Sequence, residues 1–482
     1  MALFDFLQDG AQERYLPSIK IIADRWDIML GEDALDGVDD FTFTERVISL
    51  LESGEYRADV ILQVISDLGS IAWWRGPHLG DGHAGRVAAL ARRLHLNGAD
   101  ALTLPPRALP RSAARRAHVV FGGDLVGPFH SPSRGAIDYV AALAMDPEVE
   151  RIDLHHGGES IPPNMQAYID ERLANVPPER GLTLISTQEN PNYLIDAIRK
   201  GPCTYHFWCE PIMAPHITIA SRLGPTVMFT CGDEPPPQYA DVFWYFHEPQ
   251  HMAPIWKRRG APSSFSRNYV QSLSGPFYDE GPPAPRARAE VGLPDDAFVI
   301  ATVGNRLTVD LDEAFVTGIE KILRDRPNAL WLVVGGLPDA LLDACQTILG
   351  DQFRYIVQDL ELARLMTTVD VFANPFRQGG GNSAMIALTA GAVLLTTNDG
   401  DVASMAPPEH RAKDIDDYFA RLATLIDVPG TMDAWRGPQQ ERRKLMNDQT
   451  YFLMSLKAMV DTAYDRFEAR QGRTLTSVVE EG

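Results

Sequence analysis

From His118 onward the chain alternates short apolar runs with amphipathic stretches, and turn-forming residues separate them. The runs His118–Phe121, Arg151–Leu154, Leu182–Ser186, Thr204–Trp208 and Thr226–Thr230 predict strands. Between them, Gly135–Met145, Met165–Leu173, Tyr193–Lys200 and Ala214–Leu223 carry apolar residues at helical spacing. The alternation starts again after Ser263–Arg288, a Ser-, Pro- and Gly-rich stretch that reads as a connection. Strands are expected at Phe298–Val303, Ala329–Val334, Phe353–Val357, Val369–Asn374 and Ala392–Thr397. The helices expected between them are Leu311–Arg324, Pro338–Leu349, Leu360–Thr368 and Ala384–Ala390, and a last one, Tyr451–Arg470, closes the chain. Residues before the first strand look helical instead, in Tyr15–Leu30, Phe43–Ser53, Val60–Trp74 and Ala84–Leu94, with Leu104–Arg116 as a linker. The pattern therefore predicts an α/β protein in three parts. These are a helical segment over 1–116, a Rossmann-like domain over 117–262, and a second one over 289–482 that includes the closing helix. Two successive open sheets are expected to face a cleft, the usual place for a small-molecule site.

The second domain holds the most informative stretch, Val371–Pro407. A buried strand breaks at Pro375 and passes through Gly379, Gly380 and Gly381. Asn382 or Ser383 is expected to cap a short helix that Gly391 ends. A strand, a glycine loop and a helix N-terminus present free backbone N–H groups and the positive end of a dipole, which together suit a phosphate. The alternative is a tight turn that binds nothing, although three consecutive glycines exceed what a turn requires. A second polar loop, Asn398–Asp401, follows the next strand.

Composition narrows the partners. A net charge of −21 argues against nucleic acid as the main partner, because polyphosphate binding needs clustered cations. A single nucleotide needs only a local site. Cys203, Cys209, Cys231 and Cys345 have no zinc spacing and are too few for a disulfide framework, which fits a reducing cytoplasm. The N-terminus lacks a basic region followed by an apolar core, and no run approaches the roughly 18 apolar residues of a membrane span. No carboxylate pair at a strand end suggests a metal-bound pyrophosphate, so no metal is expected.

Three stretches of the second domain carry a family resemblance. GNRLTVDLDEAFVTGIEKILRDRPNALWLVV (Gly304–Val334), NPFRQGGGNSAMIALTAG (Asn374–Gly391) and GDVAS (Gly400–Ser404) resemble the GT-B nucleotide-sugar glycosyltransferases. More narrowly, they are similar to the group of protein O-GlcNAc transferases and bacterial adhesin N-glucosyltransferases. The resemblance implies a UDP-sugar donor, no further cofactor, and a protein acceptor. A glycan, lipid-linked sugar or small-molecule acceptor, or a non-catalytic binding protein on the same fold, stays open, as do the sugar and the oligomeric state. The family has a Lys soon after the Asn of the first loop, whereas this chain reads Asn305-Arg306-Leu307-Thr308-Val309. Arg306 can take that role, since guanidinium binds phosphate oxygens well. The retaining class carries two glutamates where this chain has Gln378 and Ile386, so the resemblance implies inversion. The donor residues it implies are Asn305, Arg306, Gln378, Gly380, Gly381, Asn382, Ser383 and Asp401, with Asp399 as an alternative to Asp401.

Inverting transfer needs a base for the acceptor proton. The loop Gly122–Gly135 offers His130, Asp124 and Arg134 ahead of a helix, and the adhesin enzymes have a His/Ser-rich segment in the corresponding loop. His130 is the expected base and Asp124 the next candidate. His155-His156 form a competing pair, and His206, His216, Asp233 and Glu234 could line the same cleft.

Overall fold

A computed structural model of the chain describes residues 40–54, 61, 64–65, 81–101, 115–121, 123–174, 176–177, 180–186, 203–208, 214–229, 239–258, 260–276, 281–377 and 379–480. The expected helices Tyr15–Leu30 and Tyr193–Lys200, most of Val60–Trp74 and the Leu104–Arg116 linker, Cys209, Cys231, Asp233, Glu234 and Gln378 lie outside the described residues. The chain folds as two compact units. One is built on Glu280–Lys444; the other joins Gly80–Asp279 to Leu445–Gly482.

The first α/β domain carries a parallel sheet of seven strands. They are β1 (Arg115–Phe121), β2 (Val149–His156), β3 (Gly181–Ser186), β4 (Cys203–Trp208), β5 (Thr226–Phe229), β6 (Val242–Tyr245) and β7 (Tyr269–Gln271). Their spatial order is β3-β2-β1-β4-β5-β6-β7, and every pairing is parallel. The chain winds outward from β1 to β3, then restarts at β4 on the other side. The switch point therefore lies between β1 and β4, where ligands of open sheets bind. β4, β5 and β6 are buried along their whole lengths, as strands covered on both faces are, and the polar Thr204, His206 and Thr226 within them are hydrogen-bonded. β6 and β7 extend the sheet beyond the expected strands. Ser263–Gln271, expected as connection, forms the helix Ser263–Asn268 and the edge strand β7.

The second sheet has six strands, β8 (Phe298–Gly304), β9 (Ala329–Gly335), β10 (Phe353–Ile356), β11 (Val371–Ala373), β12 (Val393–Thr397) and β13 (Arg411–Ala412). Their order is β10-β9-β8-β11-β12-β13, again all parallel, with the switch point between β8 and β11. The helix Glu313–Arg324 shows how the sequence writes its covering layer. Asp312 caps it by accepting from Phe315 N at 2.8 Å, and Phe315, Val316, Ile319, Ile322 and Leu323 are buried. Two further helices, Ile415–Asp427 and Thr431–Met446, lie beyond those expected.

The closing helix corrects the expected division of the chain. Gln449–Ala469 buries Phe452, Leu456, Met459, Val460, Ala463 and Tyr464 in the core of the first domain, with Val119, Tyr139 and Trp244. Just beyond it, Arg470 forks onto buried Asp241, with Nε and Nη2 at 2.7 and 2.9 Å from the two carboxylate oxygens. Asp241 also accepts from Thr226 N and Oγ1, both at 3.0 Å. The terminal helix Leu475–Glu480 starts on Asp100, whose carboxylate accepts from Leu475 N and Thr476 N. An amphipathic helix carries no mark of which sheet it covers, so chain order was a poor guide here.

Candidate functional site

The loops that leave β8, β9, β11 and β12 meet at the switch point of the second sheet. Gly304 ends β8 and pairs with Gly335 at the end of β9. A Cβ on Gly335, which has φ +127°, would stand 1.8 Å from Gly304 O, so the two strand exits touch backbone to backbone. Asn305 is exposed and Arg306 half-buried just beyond. Arg306 Nη2 reaches Asp310 Oδ1 at 3.1 Å.

Across the switch point, Arg377 follows the strand exit Asn374-Pro375-Phe376. Its side chain is only 4% exposed. The guanidinium donates from Nε to Asn374 Oδ1 (3.0 Å), from Nη1 to Asp310 Oδ2 (3.1 Å) and from Nη2 to Val303 O (2.8 Å). Burial lowers its pKa from the ordinary arginine value while Asp310 pulls it back up, and arginine stays a cation across this range. Asp310 thus holds two guanidinia, one on each carboxylate oxygen. Neither Arg377 nor Asp310 was expected as a site residue. The available signal was a cation set between NPF and GGG, and an acid four residues after Arg306.

The glycine loop runs into the helix Gly381–Ala390. Its N-cap is Gly380 at φ +102°, not Asn382 or Ser383, which occupy the first turn half-buried. Position 380 takes glycine for two reasons, its left-handed φ and the lack of room for a Cβ, which would lie 2.5 Å from Arg377 Nη2. The first intrahelical donor is Ala384 N, which donates to Gly380 O at 3.0 Å. The N–H groups of Gly381, Asn382 and Ser383 therefore lie ahead of the helical ladder, where an anion is favoured. The Asn398–Asp401 loop packs on the same helix start, since a Cβ on Gly381 would meet Asp401 Cβ at 3.3 Å. Asp401 is half-buried, Asp399 is exposed, and Ser404 donates to Asp401 O at 2.7 Å. Arg306, Gly380, Gly381, Asn382, Ser383 and Asp401 are thus brought to one locus, with Asn305 at its rim.

The first domain's switch point holds His130 and Asp124, on the loop that leaves β1. His130 is the N-cap residue of the helix Ser131–Ala144. Its Nδ1 lies 2.7 Å from Ser133 Oγ, which donates to Asp124 O at 3.1 Å. When that bond uses the single Ser133 hydrogen, His130 Nδ1 carries the ring proton and donates to Ser133 Oγ. In the neutral ring Nε2 is then the acceptor. Burial lowers the His130 pKa below the ordinary 6.5, which favours that neutral form. Asp124 is exposed, and its Oδ1 packs on Gly158, 3.3 Å from where a Cβ would stand.

Arg134, His155, His156 and His206 are engaged within this domain. Arg134 lies inside the helix, with Nε 3.7 Å from buried Asp138 and its guanidinium over Tyr168. His155 and His156 belong to β2 and are buried; His155 Nε2 stands 3.1 Å from His118 Nδ1 in the sheet. His206 lies within β4 between Tyr139 OH and Thr204 Oγ1, each at 2.8 Å. His216 is in the helix Ala214–Leu223. Among the described residues, no group of three or more His, Cys, Asp and Glu side chains is arranged to hold a metal ion.

Two doubly wound parallel sheets on one chain are the architecture of the GT-B fold. Solved structures of that class match this chain. The chain is similar to a mutant of the Thermobaculum terrenum O-GlcNAc transferase, at 15% identity and TM-score 0.62, covering 88% of this chain and 82% of that one. It is also similar to Anabaena HepE solved with UDP and glucose (11% identity, TM-score 0.51, 72% and 99% covered). A glycosyltransferase from Rickettsia africae matches at 10% identity and TM-score 0.52, covering 73% and 99%. Identities this low establish the fold alone. No family model matches the chain, and no curated protein does. Among the described residues, no helix is long and apolar enough to cross a membrane.

Proposed function

We propose that this protein is an inverting glycosyltransferase that moves a sugar from a UDP-sugar to a protein side chain without a metal ion. The observation that carries the reading is the convergence at the β8/β11 switch point of Arg306 with the helix-start amides of Gly381, Asn382 and Ser383. A diphosphate leaving group needs such a cation and such donors. The O-GlcNAc transferase and the UDP complex among the similar structures support this choice of donor. The protein acceptor rests on the sequence resemblance.

The division of roles follows from the two loci. In the second domain, Arg306 and the first-turn amides take the charge that builds on the diphosphate as the bond from the anomeric carbon to the phosphate oxygen breaks. Asp401 hydrogen-bonds donor hydroxyls. In the first domain, His130 Nε2 takes the proton from the acceptor nucleophile as its bond to the anomeric carbon forms. The electron pair of the broken bond leaves with UDP. Inversion follows from a single displacement.

The test is turnover. The protein is incubated with UDP-GlcNAc or UDP-glucose, with and without a lysate depleted of small molecules. UDP release and the mass shift of acceptor proteins are then read. UDP release with a hexose or N-acetylhexosamine mass shift supports the proposal. If the folded protein neither binds UDP nor releases it from either donor, the proposal fails.

A further inference from the structure

Arg377 has the chemistry of a phosphate ligand but a different placement from one. All three of its nitrogens are committed to this chain, to Asn374 Oδ1, Asp310 Oδ2 and Val303 O, in a slot that two glycines keep open. A Cβ on Gly304 would stand 2.3 Å from Arg377 Nη1, and one on Gly380 would stand 2.5 Å from Nη2. Gly304 ends β8 and Gly380 lies in the loop after β11, on the two sides of the switch point. The guanidinium therefore joins the exit of β8 to the exit of β11. Through Asp310 it also shares a carboxylate with Arg306.

We infer that Arg377 is the positioning residue of the donor site, resting on the UDP-sugar reading above. It fixes the Gly380 turn that aims the amides of Gly381–Ser383, and through Asp310 it fixes the Arg306 side chain, without touching the donor. A planar fork can satisfy three acceptors in different directions, whereas an ammonium on a flexible stem cannot hold them in one geometry. Preorganised donors gain their advantage because binding then orders fewer groups.

Arg377→Lys isolates this role, since it keeps the positive charge and removes only the fork. The reading is UDP affinity by calorimetry, with uridine as the control that lacks phosphates. Two lost hydrogen bonds and a loosened turn predict a loss of UDP affinity of roughly tenfold or more. Uridine affinity should be unchanged. A merely structural role would weaken both ligands together, and that result would overturn the inference. Wild-type UDP affinity in Arg377→Lys would also overturn it and leave the donor reading standing. A wild-type protein that binds uridine and UDP equally would instead remove the phosphate site itself, and this inference with it. If Arg377→Lys does not fold, Asn374→Ala is the smaller perturbation, removing the acceptor of Nε and the long 3.5 Å bond from Asn374 Nδ2 to Thr396 Oγ1. The same selective loss of UDP, at about threefold or more, supports the inference; unchanged UDP affinity overturns it.

Discussion

Replacing His130 with Ala separates a chemical role from a structural one, because the structure sets the two effects at different sizes. His130 occupies an extended N-cap position, φ −85° and ψ 106°, that Ala adopts without strain, and its side chain does not cap the helix. The substitution removes one half-buried hydrogen bond, to Ser133, which is worth about 0.5–1.5 kcal/mol. The melting temperature should fall by no more than about 5 °C. Loss of a general base, by contrast, costs about a hundredfold in turnover, or roughly 2.7 kcal/mol of barrier. UDP affinity should be unchanged, because the proposed donor ligands are all in the second domain. The pH profile gives a second reading. The base works as the neutral ring, so kcat/KM should rise with pH through a pKa below 6.5 and then level off, the direction burial imposes on His130. The stability linkage has the same sign. A histidine with a depressed folded-state pKa contributes stability above 6.5, and this is lost as pH falls from there towards the folded value. Normal turnover in a folded His130→Ala protein refutes the base role and brings Asp124 forward. Lost turnover together with lost UDP binding would make His130 a donor ligand instead.

Other expectations follow from the same contacts. Arg306→Ala should weaken UDP binding roughly ten- to a hundredfold by calorimetry, the scale of a charge-assisted phosphate contact, with little change in melting; equal affinity would mean that Arg306 does not hold the diphosphate. UDP should bind equally well with and without a chelator, because guanidinium and amide donors take the place of a bridging cation; a large loss on chelation would overturn the metal-free proposal. Arg470→Met should destabilise the first domain by about 3–5 kcal/mol, because it leaves the buried Asp241 carboxylate without its countercharge. Chemical denaturation followed through tryptophan emission checks this, and a change under about 1 kcal/mol would mean that the fork on Asp241 does not hold the C-terminal segment.

The fold was legible in the sequence because parallel strands are covered on both faces. Runs such as Ala329–Gly335 then read as strands wherever they lie, and β9 is buried at every position. The glycine loop was legible for a similar reason: the positive φ at Gly380 and Gly391 leaves a mark in the residue type itself. The helix Gln449–Ala469 advertised its apolar stripe but not the sheet that receives it, since any apolar face fits that description. Only packing assigned Phe452, Leu456 and Met459 to the first domain, and only Asp241 explained Arg470. The histidines divide the same way. His130, His155 and His206 are the same residue type near strand ends, yet β2 and β4 run long enough to bury the last two in the sheet. Arg377 shows the limit most directly. Its partners lie at 303, 310 and 374, so its place between two glycines is set by contacts across the sheet, and a local pattern of residues carries no record of contacts made at that distance along the chain.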